Sequence, residues 1–203
     1  MLSHMVQSAP PPTSPRRGAR SSHPTTDWTV VSLGEITHIK TGGRNNQDKV
    51  VDGKYPFFVR SENIEKINSY TYDCEAILVP GEGNIGNIFH YINGRFDVHQ
   101  RVYAITQFRQ DVLGKYIYLF MARHFGAHAL KNSVKATVDS LRLPTFKEFE
   151  ILKPPTINEQ TRIATVLSDM DAEIAGLEVK LGKARRVKEG MMQDLLTGKV
   201  RLV

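Results

Sequence analysis

From residue 156 to the end of the chain the apolar positions keep a single rhythm. Ile163, Leu167, Met170, Ile174, Leu177, Leu181, Ala184, Lys188, Met191 and Leu195 follow one another in alternating steps of four and three. That spacing is a heptad seam along one side of an α-helix, and only Lys188 interrupts its apolar character, as seam positions that set register or partner often do. Thr156 followed by Glu159 has capping-box spacing, no proline occurs after Pro155, and Gly198 offers a stop. The pattern therefore predicts one helix from about residue 156 to 196, roughly 60 Å long at 1.5 Å per residue. A stripe this narrow on a helix this long exceeds what one small domain can cover, so it calls for a partner helix.

Upstream the rhythm changes. Ser32 and Glu35 form another capping-box pair ahead of a short helix, and short β-branched and aromatic runs separated by Gly, Asn and Pro predict strands over 56–60, 76–79, 87–92 and 101–106. Asn93-Gly94 reads as a two-residue hairpin turn. Leu113, Ile117, Phe120, Met121 and Phe125 recur at helical spacing and predict a helix over 115–132, followed by a mixed segment ending at Pro154-Pro155. Residues 1–27 hold Pro10, Pro11, Pro12, Pro15 and Pro24 with little to bury and read as a disordered arm, its first residues resembling a cloning remnant. The expected fold class is α+β: a mixed domain over 28–155 with short strands and many loops, then a long coiled-coil helix over 156–203.

Charge gives the helix a direction. Between residues 157 and 178 lie Glu159, Asp169, Asp171, Glu173 and Glu178 against Arg162 alone; between 179 and 203 lie Lys180, Lys183, Arg185, Arg186, Lys188, Lys199 and Arg201 against Glu189 and Asp194. An antiparallel copy would set acid against base, which favours an antiparallel homodimer. A basic end that complements its own helix dipole would produce the same pattern. The whole chain carries a net charge of +6, which suits a polyanionic partner. A single cysteine, Cys74, leaves no internal disulfide and fits a reducing compartment, no stretch is apolar enough for a membrane span, and the expected location is the cytoplasm.

Signs of catalysis are weak. Gly81-Glu82-Gly83-Asn84-Ile85-Gly86 matches a dinucleotide-binding string, but the strand-like residues after it replace the helix that phosphate binding needs. The glycines more naturally permit close backbone approach, to the chain itself or to a ligand. His124 and His128 have helical spacing without an intervening Glu, and read as structural. No adenosylmethionine-binding loop or Asn/Asp-Pro-Pro-Tyr/Phe motif occurs, and no catalytic or metal site is expected.

Trp28, Leu33-Gly34-Glu35-Ile36, Gly42, the run Tyr55 to Arg60, the Gly81–Gly86 turn and Gln100-Arg101 stand in the order seen in specificity (S) subunits of type I restriction-modification systems. Pro154-Pro155, Glu159-Gln160, Ile163-Ala164 and Leu167, closed by Lys188, Gln193, Leu195-Leu196-Thr197-Gly198-Lys199 and Arg201, resemble that family's conserved helical region and its end. The resemblance runs over residues 28–203. It implies a non-catalytic DNA-reading subunit that directs a separate adenine methyltransferase (modification) subunit, where S-adenosylmethionine would be bound, and in some systems a restriction subunit. Subunits of that family usually have two recognition domains and two helical regions and read a bipartite site in double-stranded DNA; this sequence has one of each, as a natural half subunit or one half of a longer chain would.

On that reading, DNA contacts come from loops. Arg grips guanine and Asn or Gln adenine through paired bonds, while Lys and hydroxyls mostly hold phosphates. The candidates are Arg44, Asn45, Asn46 and Gln47; Arg60, Ser61 and Asn63; His99, Gln100 and Arg101; and, as phosphate contacts, Lys131, Lys135 and Thr137. Turn chemistry is the competing reading for Asn45, Asn46 and Asn63, and a structural network for Gln100 and Arg101. The competing function is a coiled-coil adaptor whose head binds protein without specific DNA binding.

Overall fold

The structure, a computed structural model, describes residues 27–132 and 140–202. Eight strands and four helices follow in order: β1 (Thr29–Ser32), α1 (Leu33–Ile36), β2 (His38–Thr41), β3 (Tyr55–Phe58), β4 (Glu65–Ile67), β5 (Tyr72–Pro80), β6 (His90–Val98), β7 (Val102–Thr106), α2 (Gly114–Asn132), α3 (Leu143–Lys147), β8 (Glu150–Lys153) and α4 (Ile157–Leu196). Six strands form one sheet in the order β2-β7-β5-β6-β3-β4, antiparallel except where β3 runs parallel to β6. β1 and β8 form a separate antiparallel ribbon. The architecture is the expected α+β head with a long C-terminal helix.

Strand β5 organises the core because consecutive residues are buried on both of its faces. Ile77 and Val79 meet α2 through Ile117, Met121 and Phe125, joined by Phe146 of α3, Phe149 just before β8 and Ile151 of β8. Ala76 and Leu78 point the other way, into a cluster made only of strand residues, Phe58, Phe96, Val98, Val102 and Ala104. Helix α2 comes within backbone contact of the glycine-rich loop after β5: a Cβ at Gly86, whose φ is +71°, would lie 2.8 Å from the Cα of Gly126. The glycines thus serve approach of the chain to itself, as one of the sequence readings had it.

Several expectations need correction. Asn93-Gly94 makes no turn: both lie inside β6, paired with Glu75 and Cys74, and the real connection is the loop 81–89. Gly94 has φ +145°, tolerable only for glycine, within a nine-residue strand. Register with β5 from Tyr72↔Phe96 to Leu78↔His90 overrides the local turn signal. β1, β2, β4 and β8 were not expected; each spans four residues or fewer and owes its pairing to distant partners.

The long helix ends where expected, at Leu196 with Gly198 in the left-handed region, φ +71°. At its start Thr156 Oγ1 accepts from the Glu159 N–H at 3.2 Å, but the Glu159 carboxylate does not complete a capping box; it accepts from the Trp28 indole N–H at 3.0 Å, tying the head of β1 to α4. One turn on, the Gln160 side chain is 0% exposed. Its Oε1 accepts from the Leu113 N–H at 2.8 Å, and its Nε2 donates to the carbonyls of Asp111 at 3.0 Å and Pro154 at 3.2 Å. Asp111 is in turn paired with Arg109 and, at 3.1 Å, with the buried Lys153 amine of β8, which together hold its carboxyl well below the ordinary carboxylate range.

Ile163 and Ala164 still pack on the head, so Ile163 belongs to the intrachain joint rather than to a free seam. Beyond them the seam is bare: Leu167, Met170, Ile174, Leu177, Leu181 and Met191 are all exposed.

Replacing Gln160 by Leu leaves one buried N–H and two carbonyls without their partner, and should cost about 2–4 kcal/mol of unfolding free energy in urea titrations. A loss under about 1 kcal/mol would show that the joint does not depend on these bonds.

Candidate nucleic-acid interface

The three loop clusters named from sequence lie up to 57 positions apart, from Arg44 to Arg101, yet the backbone stitches them into one surface. The Arg44 N–H donates to the Val98 carbonyl at 3.2 Å and the Arg44 carbonyl accepts from the Gln100 N–H at 2.9 Å, so the first loop is bridged to the third. The His99 N–H donates to the Phe58 carbonyl at 3.0 Å, which brings in the strand end preceding Arg60. Gly42 makes the crossing possible, since a Cβ there would run into the Val98 carbonyl.

A buried carboxylate holds this junction. Asp97 is 1% exposed and accepts from Arg44 Nε at 3.0 Å, Thr71 Oγ1 at 2.9 Å, Ser69 Oγ at 3.2 Å and the Val98 N–H at 3.1 Å. Burying a charge without such partners would be prohibitive. Arg44 is thus tied to the framework through Nε, although its side chain stays 40% exposed. Asn45 caps the 3-10 turn Asn46–Asp48, its N–H donating to Asp48 Oδ2 at 2.8 Å, so turn chemistry accounts for it. Ser61 Oγ donates to the Asn63 carbonyl at 3.0 Å within its own turn. His99 is 4% exposed, with Nδ1 accepting from the Arg101 N–H at 3.0 Å; its expectation as a base reader is corrected to that of a structural residue.

What remains exposed on this surface are Asn46, Gln47, Arg60, Asn63, Gln100 and Arg101. A groove of about 230 Å³ lined by Asn46, Lys49, Val59, Arg60, Ser61 and Glu65 joins the first two loops. A pocket of about 70 Å³ lined by residues including Glu82, Gln100, Arg101 and Tyr103 lies by the third. Side chains of this kind offer the donor and acceptor pairs that base edges match. Lys131 is exposed on a different element, in the last turn of α2; Lys135 and Thr137 lie outside the described residues, as do positions 1–26 of the N-terminal arm.

Two residues by this surface were not singled out as site residues in the sequence. Glu82 projects from the glycine-rich loop to Arg60 and Arg101; burial above all raises the neighbouring Tyr103 hydroxyl, against the lowering charges of Arg142 and Arg101. No spacing rule links positions 60, 82, 101 and 142; only the fold does. His128 is taken up by the Thr145 carbonyl at 2.9 Å, and among the described residues no three His, Cys, Asp or Glu side chains gather as metal donors. No helix among them is long and apolar enough to cross a membrane.

Residues 25–181 match the family model of the type I restriction modification DNA specificity domain. The chain is 29% identical over 172 residues to the type I restriction enzyme EcoDI specificity subunit of Escherichia coli, covering 84% of this chain and 37% of that protein. It is 26% identical over 196 residues to a putative type I restriction enzyme specificity subunit, MjaX, of Methanocaldococcus jannaschii, covering 84% and 46%. It therefore spans less than half the length of these relatives. In fold it is similar to the type I S subunit from M. genitalium, with a TM-score of 0.66 at 18% identity over 86% of this chain and 47% of that one. It is likewise similar to the HsdS subunit from Thermoanaerobacter tengcongensis, with a TM-score of 0.60 at 15% identity over 89% and 46%.

Burial first, and then the charges of Arg60 and Arg101, push the His99 imidazole below its ordinary value of 6.5, against an opposing pull from Glu82. The neutral ring's contribution to stability is therefore complete above the unfolded value and is lost as pH falls through it toward the lower folded value. Urea midpoints should drop between about pH 7 and about pH 5, and His99→Asn should flatten that drop. Equal slopes in the two proteins would contradict the assignment.

Proposed function

Because the chain belongs to the type I restriction modification DNA specificity domain family, we propose that residues 28–155 form a target recognition domain that reads one half of a bipartite site in double-stranded DNA. Residues 156–203 form the helical region through which it pairs and engages a separate adenine methyltransferase subunit. The chain carries out no chemistry itself. It positions the DNA in the cytoplasm for that subunit, which would hold S-adenosylmethionine, and for a restriction subunit in systems that have one. The observation that carries this reading is that backbone bonds among Arg44, Phe58, Val98, His99 and Gln100, with Arg44 held by the buried Asp97, bring three polar loops together and leave Asn46, Gln47, Arg60, Asn63, Gln100 and Arg101 exposed on them.

Pairing rests on α4. Its seam from Leu167 to Met191 is exposed apolar surface of the kind that soluble proteins keep for a partner. The acidic first half and basic second half favour an antiparallel second helix, either from a second copy or from a second helical region of a longer chain. In a homodimer, two identical heads related by a twofold axis would read a symmetric, interrupted sequence.

Selection from a randomised duplex pool, with the methyltransferase subunit present, tests both parts. The expected product is one split motif, symmetric for the homodimer, with selectivity lost when Gln47, Asn63 and Gln100 are changed to Ala. Recovery of no motif would favour the coiled-coil adaptor; an undivided motif would contradict the paired arrangement.

A further inference from the structure

The DNA-facing surface carries a negative charge at its centre. Glu82 Oε1 lies 3.0 Å from Arg101 Nη1, and Glu82 Oε2 lies 3.3 Å from Arg60 Nη1, so each carboxylate oxygen holds one arginine. Both arginines are about half exposed, at 57% and 45%, whereas Glu82 is the more enclosed at 24%. The loop is not free to swing Glu82 away. The Gly81 N–H donates to the Arg101 carbonyl at 2.9 Å, the Gly81 carbonyl accepts from the Leu141 N–H at 2.8 Å, and Glu82 is bridged to Ser140. Gly83, at φ +90°, turns the chain immediately after it.

A carboxylate in this place is unfavourable for simple DNA affinity. Facing phosphates, it cancels one of two cations and repels the backbone, so the triad Arg60–Glu82–Arg101 has a net charge of +1 instead of +2. Non-specific affinity depends on the number of phosphates neutralised, so this arrangement lowers binding to every sequence alike. It favours recognition in two ways. It spans the two guanidinium groups and holds them oriented, and it adds an acceptor beside the Gln100 and Arg101 donors at the small pocket between the loops. An acceptor flanked by donors matches a base edge that carries an amino group, and a phosphate, which is acceptor-only, cannot use it.

We propose that Glu82 is a specificity-determining residue: it orients Arg60 and Arg101 for base edges and penalises sequence-independent phosphate binding. The inference rests on the reading of this surface as a DNA interface. Like-charge juxtaposition is a recognised means of suppressing wrong partners at small expense to the right one.

The test compares the full chain with its Glu82→Gln variant, each with the methyltransferase subunit. Binding to a random-sequence duplex is measured over a salt series, followed by selection from a randomised duplex pool. The variant should bind the random duplex roughly tenfold more tightly, with a log–log salt slope steeper by about one, and should yield a degraded motif. Glu82→Ala should behave the same way if the Gln side chain disturbs the loop, with thermal midpoints confirming that both variants fold. Unchanged slope and motif in folded variants would overturn the proposal, as would a loss of random-duplex affinity. Failure of the unaltered chain to select any sequence would instead overturn the DNA-reading assignment itself.

Discussion

The geometry of this protein hangs on one buried side chain at the root of its long helix. Gln160 bonds to Leu113, Asp111 and Pro154 from a position with no solvent access, and it joins the loop before α2, the end of β8 and the first turn of α4. An amide suits this place because it donates and accepts at once; a charged side chain would need a counterion in the same space. Trp28 bonded to Glu159, and Ile163 and Ala164 packed on the head, complete the joint within the first two turns of a forty-residue helix. Leverage makes this joint consequential: over ~60 Å, a change of about 10° at the root moves the far end by roughly 10 Å. Whatever pairs with the seam is thereby held at a set place relative to the polar loops of the head.

A second buried polar group does comparable work within the head. Asp97 gathers Arg44, Ser69 and Thr71, elements distant in sequence, and so fixes the crossing of the loops. Framework and exposed polar positions are thus divided between neighbours. Arg44, Asn45 and His99 hold the loops in place, while Asn46, Gln47, Asn63 and Gln100 are left exposed. Such a division lets exposed positions vary while the scaffold stays constant, since surface substitutions away from caps and buried networks usually change stability by less than about 0.5 kcal/mol.

The helix was legible in the sequence because its signals are local and repeated: a seam every three or four residues, a capping threonine, a terminal glycine. The same locality explains what was missed. β1 and β8 are four-residue strands that pair across more than a hundred positions, and nothing within either announces the other. Asn93-Gly94 carries a strong local turn signal that the seven paired positions between β5 and β6 outweigh. The three polar loops were found by residue type alone, which is why framework and exposed residues were named together: burial of His99 and the Asp97 partnership of Arg44 are properties of the closed sheet. Glu82 was visible only as part of a glycine string, and its partners emerged when β3, β7 and the loop after β5 were brought together.

The central claim is that these separate loops act as a single DNA-facing surface. Hydrogen–deuterium exchange on the chain with its methyltransferase subunit, with and without a selected duplex, tests it most directly. The account predicts that amides in 44–47, 60–63 and 99–101 gain protection together, while the β1–β8 ribbon, 29–32 and 150–153, is unaffected. Protection confined to one loop, or to that ribbon, would contradict it.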